Sequence, residues 1–262
     1  MSFPNFEGKH AQDAFFSPQE WVVYFKQSGF LPDFDIPQGV IFCYQKALLK
    51  HILAHEEAET FALPIGNLYL LKSTSNKIAI SSGFGIGAPA VSTVFEELIA
   101  LGTSRFISIG SAGGLQEKVE IGDIVLCDKA IRDEGVSHHY LAPDKYAYPS
   151  PELTAQLRQA FEAQGTIYTT GPTWTIDAPY RETVAEARHY QAEGVYTVEM
   201  EAAALFAVAQ VRGVKLASAF TISDSLAELS WKPQFRASET EQGLVKLYNA
   251  ARATLLDPAD AK

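Results

Sequence analysis

Cysteine is scarce in this chain: Cys43 and Cys127 are the only two among 262 residues. They lie far apart in the sequence, each in apolar surroundings. So sparse a use of cysteine argues against a scaffold held by disulfides. We therefore predict two buried thiols in a reducing compartment.

Long apolar runs are missing as well. The first ten residues contain no apolar core of the length found in signal peptides. The most apolar stretch of the chain is interrupted by Glu199, Glu201, Gln210 and Arg212. No segment therefore approaches the about 20 apolar residues that a membrane-spanning helix needs. These absences predict a cytoplasmic protein that does not bind membranes.

Basic residues are outnumbered, with 21 Lys and Arg against 31 Asp and Glu, which gives a formal net charge of −10. An acidic surface repels phosphate backbones and anionic lipid, so we do not expect nucleic acid as a partner. A local basic pocket for one small anion remains compatible with this charge. The apolar fraction of 47% and the length are typical of one globular α/β domain.

Strands and helices are predicted to alternate after an N-terminal arm of residues 1–38, which has one helix over residues 18–26. The predicted strands cover residues 40–44, 68–72, 77–82, 106–109, 123–127, 167–170 and 215–222. The predicted helices cover residues 47–55, 89–101, 151–163, 181–191, 199–211 and 239–255. Such alternation predicts a three-layer α/β sandwich around a mixed sheet. The residues after Asp257 are expected to fray.

A glycine-rich turn over residues 82–89 follows a predicted strand and opens a helix. Glycine lets the backbone approach a ligand closely, and a helix N-terminus favours an anion. Gly83, Gly85 and Ala88 also match the dinucleotide-binding pattern G-x-G-x-x-A. That pattern expects an acidic residue about twenty positions further on, and the strand there ends at Ser111 without a carboxylate. A tight turn without a ligand is the structural alternative.

A second loop of small residues, 109–115, directly follows the next predicted strand. Small residues and the hydroxyl of Ser111 at the carboxyl end of a strand are suited to line a ligand crevice of an α/β sheet. A glycine loop without a ligand explains the same pattern.

Two carboxylates, Glu199 and Glu201, stand at the start of a helix that is otherwise apolar. A carboxylate in the first turn stabilises the helix dipole, so capping is one interpretation. Position 201 shares a face with Leu205 and Val208, which predicts that its carboxylate points inward and needs a hydrogen-bond partner such as sugar hydroxyls. Asp224 ends a predicted strand, where a general acid would be useful.

Residues 85–89, 110–114 and 198–203 together resemble the nucleoside phosphorylase superfamily, which includes purine nucleoside phosphorylases, uridine phosphorylases and methylthioadenosine nucleosidases. Residues 121–125 and 132–137 are similar to its uridine phosphorylase branch. The resemblance implies an α/β/α sandwich in three layers around a mixed, partly barrel-like sheet, with residues 39–262 as a single catalytic domain. It also implies a homo-oligomer, either a dimer or a hexamer, and a role in nucleoside metabolism such as purine salvage.

The same resemblance implies roles for individual residues. Glu201 would bind the ribose hydroxyls, and Met200 would pack against the sugar. Asp224 would protonate a ring nitrogen of the departing base. Because uridine phosphorylases usually carry an apolar residue at that position, Asp224 favours a purine nucleoside as the substrate.

Further residues are implied on the sugar, anion and base sides of the pocket. Trp174 and Tyr180 are candidates for stacking on the base, although aromatic residues of the core or the rim need no ligand. The remaining implied substrate-binding residues are Gly85, Ser111, Ala112, Gly113 and Glu199.

Three arginines that bind phosphate in such phosphorylases are missing here. Residues 42–48 lack both the glycine and the arginine of a Gly-Asp-Pro-x-Arg loop, Ser108 replaces a second arginine, and a third would fall near Ile65. We expect phosphate to be a co-substrate, and we expect neither a further cofactor nor a metal. Other groups are therefore assigned to bind the phosphate. These are Ser111, Lys46, Arg132 and Arg181.

Several functions remain open. Phosphorolysis to free base and ribose 1-phosphate is placed first, and hydrolysis by water second, since nucleosidases also lack those arginines. Gln45 and Lys46, however, do not reproduce the glutamate-rich loop with which nucleosidases activate water. Nucleoside binding without turnover is the third hypothesis. An oxidoreductase is the least favoured, because the acidic contact to the dinucleotide ribose is absent.

Overall fold

The structure, a computed structural model, describes residues 4–256, in which eleven strands and eight α-helices are found. The strands are β1 (Gly39–Cys43), β2 (Ala58–Ala62), β3 (Asn67–Leu71), β4 (Ile78–Ser82), β5 (Arg105–Gly114), β6 (Ile124–Asp133), β7 (Tyr146–Ala147), β8 (Thr169–Ile176), β9 (Thr197–Glu199), β10 (Lys215–Ser225) and β11 (Lys232–Pro233). The helices are α1 (Pro18–Gln27), α2 (Lys46–His55), α3 (Ala88–Leu101), α4 (Ser137–Tyr140), α5 (Pro151–Ala163), α6 (Val184–Ala192), α7 (Ala202–Arg212) and α8 (Ser238–Leu256). The predicted fraying after Asp257 concerns residues outside the described range.

The strands form one mixed sheet, part of which closes on itself. Strand β10 runs parallel to β5 on one side and antiparallel to β6 on the other. Strands β8 and β9 connect β6 back to β5, so the five strands β5, β9, β8, β6 and β10 form a closed barrel. From β5 the sheet continues outward through β1, β4, β3 and β2.

Helices cover both faces of this sheet. Val22 of α1, Val91 of α3 and Leu205 of α7 belong to one buried apolar cluster. Leu48 of α2 and Leu247 of α8 belong to a second cluster, which also includes residues of α5. The prediction of three α/β/α layers around a mixed, partly barrel-like sheet is confirmed.

The ends of the helices follow the local chemistry of glycine and proline. Helix α3 begins after Gly87, whose φ of +94° suits glycine, and ends at Gly102 with φ +116°. Pro89 occupies the second helical position, one residue later than predicted. Helix α7 ends at Gly213, and the burial of all residues from Ala202 to Ala209 confirms that this apolar helix is covered on several sides.

Several predicted boundaries were wrong. The helix predicted over residues 199–211 begins only at Ala202, because Glu199 pairs in β9 with Thr175 of β8. The helix predicted over residues 181–191 begins at Val184, since Thr183 and Glu186 form a capping box there. Strands β5, β6, β8 and β10 extend beyond their predicted ends, where polar and small residues continue the hydrogen-bonded ladders of the barrel.

Cys43 and Cys127 are both free and buried, as predicted. Burial raises the pKa of the Cys43 thiol to about 12, so it is an inert, protonated group. Over residues 4–256, no helix combines the length and apolar character needed to cross a membrane.

Candidate active site

Part of the predicted site lies where β4, β5 and β10 end and α7 begins. The turn after β4 contains Gly83, Gly85 and Gly87, all with positive φ between +82° and +97°. The backbone N–H of Gly87 donates a hydrogen bond to a carboxylate oxygen of Glu201. A Cβ on Gly87 would lie 3.9 Å from the methyl group of Met200, whereas one on Gly85 would meet no atom within 4 Å. The turn and the start of α7 are therefore in direct contact, and the backbone at Gly85 is open.

Glu199 and Glu201 have different surroundings although they are two residues apart. Glu199 is 6% exposed, and one of its carboxylate oxygens accepts hydrogen bonds of 2.8 Å from the backbone N–H groups of Glu201 and Ala202. The hydroxyl of Thr175 donates to its other oxygen and accepts from the N–H of Ala203. Glu199 thus caps α7 and ties it to β8. This position argues against the prediction that Glu199 contacts substrate, because its carboxylate is buried and already accepts three hydrogen bonds inside the protein.

Replacing Glu199 with alanine is expected to lower the free energy of unfolding by about 2 kcal/mol, because buried N–H and O–H donors lose their acceptor. The expected loss of stability is not larger, because the alanine variant no longer buries a carboxylate charge, which offsets part of the destabilisation. Urea denaturation measures the change, with Glu120→Ala at an exposed position as the control. A change of less than about 0.5 kcal/mol would contradict a capping role.

Glu201 is partly buried and does not cap its helix. The carboxylate of Glu201 accepts its hydrogen bond from the backbone N–H of Gly87 in the glycine turn rather than from α7. Burial raises the pKa of Glu201 and of Glu199, and the negative charge of Glu201 raises the pKa of Glu199 further. Glu201 is consequently a carboxylate with room for further donors, held at the edge of the turn.

Asp224 lies near the end of β10 and is 8% exposed. Its two carboxylate oxygens each accept one hydrogen bond, of 2.8 Å from the hydroxyl of Ser223 and of 3.0 Å from the indole N–H of Trp231. Burial raises the pKa of Asp224, and the two hydrogen bonds oppose this rise. Such an environment suits an acid that holds a proton at higher pH than a free aspartate does.

Gly113 lets these groups come together. In the barrel it pairs with Val198 of β9 on one side and with Asp224 of β10 on the other. A Cβ at this position would lie 2.7 Å from Leu226, 3.0 Å from Val198 and 3.2 Å from the Asp224 carboxylate. A side chain here would displace the end of Leu226 and crowd Val198 and the Asp224 carboxylate, so glycine favours this close approach. Strand β9, which leads into α7, and Asp224 thus flank the same strand end.

A neutral cluster occupies the side of the site where the resemblance predicts anion-binding arginines. The hydroxyls of Tyr44 and Ser108 are 2.9 Å apart, and the Gln45 amide donates to the Ser111 hydroxyl at 3.2 Å. The amide oxygen of Gln45 is buried and has no hydrogen-bond partner among residues 4–256. Burial and the charge of Glu201 raise the pKa of Tyr44, which keeps its hydroxyl neutral.

The basic residues assigned to phosphate differ in their surroundings. Arg132 is 5% exposed, and its guanidinium donates to the hydroxyl and carbonyl of Ser137 and to the carbonyls of Leu141 and Ala142. These bonds organise the loop around α4 and leave Arg132 poorly placed as a phosphate ligand, which corrects that assignment. Lys46 and Arg181 are exposed.

The two predicted base-stacking aromatics are separated. Trp174 is fully buried, packs 4.8 Å from the ring of Tyr190 and donates from its indole N–H to Asp133. It belongs to the core, which corrects its assignment as a stacking residue. Tyr180, in the 3-10 turn Pro179–Arg181, is fully exposed. Ala112 is buried in β5 beside Ser111 and Gly113.

Sequence reasoning missed Trp231, Glu182 and Tyr44 as members of this site. Trp231 is seven residues beyond Asp224 in an exposed segment, and no local pattern indicates that its N–H returns to that carboxylate. Burial, followed by the charges of Asp224 and Glu186, raises the pKa of Glu182 to about 7. Tyr44 carried one usable signal, because it ends a predicted strand where the resemblance implies a ligand loop.

Comparison with known proteins agrees with this geometry. The chain belongs to the phosphorylase superfamily, whose family model matches residues 46–255. It is 31% identical to a guanosine phosphorylase of Halorubrum lacusprofundi over 54% of this chain and 59% of that enzyme. It is 33% identical to a uridine phosphorylase of Thermococcus kodakarensis over 50% of this chain and 52% of that enzyme. These matches span only about half to three fifths of the two relatives.

Two further comparisons extend over more of the chain. A DeoD-type purine nucleoside phosphorylase of Alkaliphilus metalliredigens is 29% identical over 63% of this chain and 72% of its own length. Among solved structures, a purine nucleoside phosphorylase of Toxoplasma gondii superposes with a TM-score of 0.73 at 18% identity, covering 85% of this chain and 91% of that one. An AMP nucleosidase of Bacteroides thetaiotaomicron superposes with a TM-score of 0.71 at 20% identity, covering 90% and 96%. Both structural likenesses support the fold.

Proposed function

We propose that this protein cleaves the N-glycosidic bond of a purine nucleoside, with phosphate as the nucleophile. The observation that carries the proposal is the pairing of Gly113 with both Val198 and Asp224. Val198 lies three residues before Glu201, and Glu201 contacts the glycine turn through Gly87, so this pairing supports a site that includes Glu201, Asp224 and the open turn at Gly85. The named activities of the relatives in sequence support the same reaction class.

In the proposed reaction, Glu201 and Met200 hold the sugar. The partly buried carboxylate of Glu201 accepts hydrogen bonds from the ribose hydroxyls while Gly87 keeps it oriented. Positive charge develops on the sugar as the bond to the base breaks, and a nearby carboxylate stabilises it.

Asp224 acts on the leaving base. The electron pair of the glycosidic bond goes to the base, and the Asp224 carboxyl transfers its proton to a ring nitrogen. A phosphate oxygen bonds to the anomeric carbon and gives ribose 1-phosphate. The burial that raises the pKa of Asp224 supports this role, because an acid must hold its proton near neutral pH.

Hydrolysis is a second candidate, favoured by the neutral cluster of Tyr44, Gln45, Ser108 and Ser111. This cluster offers hydroxyl and amide groups instead of guanidinium groups, and the unpartnered amide oxygen of Gln45 is suited to accept a hydrogen bond from water. Charged, bidentate donors are the usual strong ligands of phosphate.

Product analysis on a panel of purine and pyrimidine nucleosides, each with and without phosphate, distinguishes the two candidates. We expect base release from purine nucleosides only with phosphate, together with ribose 1-phosphate. Base release without phosphate, together with free ribose, would establish hydrolysis instead. No release from any nucleoside would contradict both candidates.

A further inference from the structure

Trp231 covers the carboxylate of Asp224 with an exposed ring. Its indole N–H donates to Asp224 at 3.0 Å, yet the residue as a whole is 63% exposed. Within residues 4–256, the aromatic ring beside it is that of Phe235, 6.3 Å away and itself 53% exposed. The hydrogen bond is therefore held by a side chain with little packing around it.

The backbone of the segment around Trp231 is anchored on both sides of this residue, and Leu229 packs against a buried apolar cluster. The short strand β11 pairs with the end of β10, and the N–H of Gln234 donates to the carbonyl of Ser223 at 2.8 Å. On the other side, the amide of Gln191 donates to the carbonyls of Leu226 and Ala227. Between these attachments the side chain of Trp231 can leave Asp224 while the backbone anchors stay in place.

The same hydrogen bond conflicts with the role of Asp224 as an acid. Both oxygens of Asp224 accept from donors, Ser223 and Trp231, and such an arrangement favours the ionised carboxylate. A carboxylate in that state has no proton for a departing base. Loss of either donor therefore favours protonation of Asp224, and the exposed Trp231 is held less firmly than the buried Ser223.

We propose that Trp231 is a positioning residue that keeps Asp224 ionised in the free protein and leaves it when a purine nucleoside binds. The inference rests on the proposed function, since the ring nitrogen of the base would take the position beside Asp224 that the indole N–H leaves. Loss of the indole donor then allows Asp224 to take up the proton that it transfers to the base.

The charges around Asp224 fit this assignment. Glu182 lies near it in the segment before α6, and burial, followed by the charge of Asp224, raises the pKa of Glu182 to about 7. Lys232 and Glu228, on the same segment as Trp231, form an ion pair with each other at 2.6 Å. The side chains of Val198 and Leu226 beside Gly113 are apolar.

Tryptophan fluorescence tests the hydrogen bond without any need for turnover. In the free protein, we expect a pH titration of the emission to show an inflection that Asp224→Asn and Trp231→Phe both lose. Trp21→Phe, which replaces a tryptophan of the arm, is the matched control and should keep it. Addition of inosine without phosphate should change the emission of the wild type and of Trp21→Phe, but not of Trp231→Phe. An inosine response that survives in Trp231→Phe would overturn the inference.

Kinetics separate a positioning role from a structural one. The decrease of kcat/KM at high pH reports the pKa of the acid in the free protein. The decrease of kcat at high pH reports its pKa in the complex with nucleoside. These two decreasing parts of the pH profiles are the kcat/KM limb and the kcat limb. Trp231→Phe should move the kcat/KM limb upward by about one pH unit, the effect of losing one hydrogen bond to a charged group. The kcat limb should not move, because the indole has already left Asp224 in the complex.

Equal shifts of both limbs, or a loss of rate without any shift, would overturn the inference. If the wild type releases no base from any nucleoside, the proposed function fails by itself. The fluorescence titration of the free protein and its response to inosine then still decide whether Trp231 holds and leaves Asp224.

Discussion

Replacing Asp224 with asparagine is expected to slow base release from purine nucleosides by about 10²–10⁴-fold, the usual contribution of a positioned general acid. Asparagine keeps the size of the side chain and still accepts the hydrogen bond from Trp231, but it has no acidic proton. The loss should therefore appear in kcat as well as in kcat/KM. Steady-state assays with inosine and guanosine measure both.

The nature of the leaving group provides the control for this prediction. A 4-nitrophenyl riboside releases a stable anion that needs no proton, so Asp224→Asn should barely affect its cleavage. Asp13→Asn, at an exposed position of the arm, should leave both substrates unaffected. Equal losses on the purine nucleosides and the nitrophenyl riboside would remove Asp224 from the role of acid.

Replacing Glu201 with glutamine is expected to reduce kcat/KM by about 100-fold. The ribose hydroxyls would then donate to a neutral amide oxygen instead of a charged carboxylate. Hydrogen bonds to a charged group contribute about 1.5–3 kcal/mol. The N–H of Gly87 still finds an amide oxygen, so the glycine turn should keep its place. Loss of a buried charge should leave thermal stability unchanged or slightly higher.

Assays with a ribonucleoside and with its 2′-deoxy analogue measure how the Glu201→Gln loss depends on the sugar. The loss should be smaller for the deoxynucleoside, which has one hydroxyl fewer to bind. Glu117→Gln, at an exposed position, is the matched control and should behave as the wild type. Unchanged kinetics for Glu201→Gln would place the sugar elsewhere.

Much of the secondary structure could be predicted because its signals are local. Helix α5 occupies the predicted residues Pro151–Ala163, since a proline opens it and its apolar residues repeat at helical spacing. Gly102 ends α3 as predicted because only glycine readily adopts φ +116°. The short strand β9 was missed, because its three residues leave no periodicity to detect.

The candidate site was partly predictable for the same reason. Glycine turns after strands, a pair of carboxylates at the start of an apolar helix and an aspartate at the end of a strand are patterns of neighbouring residues, and they led to Gly85, Ser111, Glu201 and Asp224. The experiments described above test the roles of these residues.

By itself, the sequence determined the alternation of strands and helices and the chemical types of the residues that end them. Tertiary structure alone decided that β10 closes the barrel against β5, and that Glu199 caps α7 while Glu201 meets Gly87. It also decided that Trp231 returns to Asp224. Each of these contacts depends on hydrogen bonds and packing between segments that are distant in the sequence or joined by irregular backbone. Periodicity and local propensity describe how a segment folds but not which surface it meets.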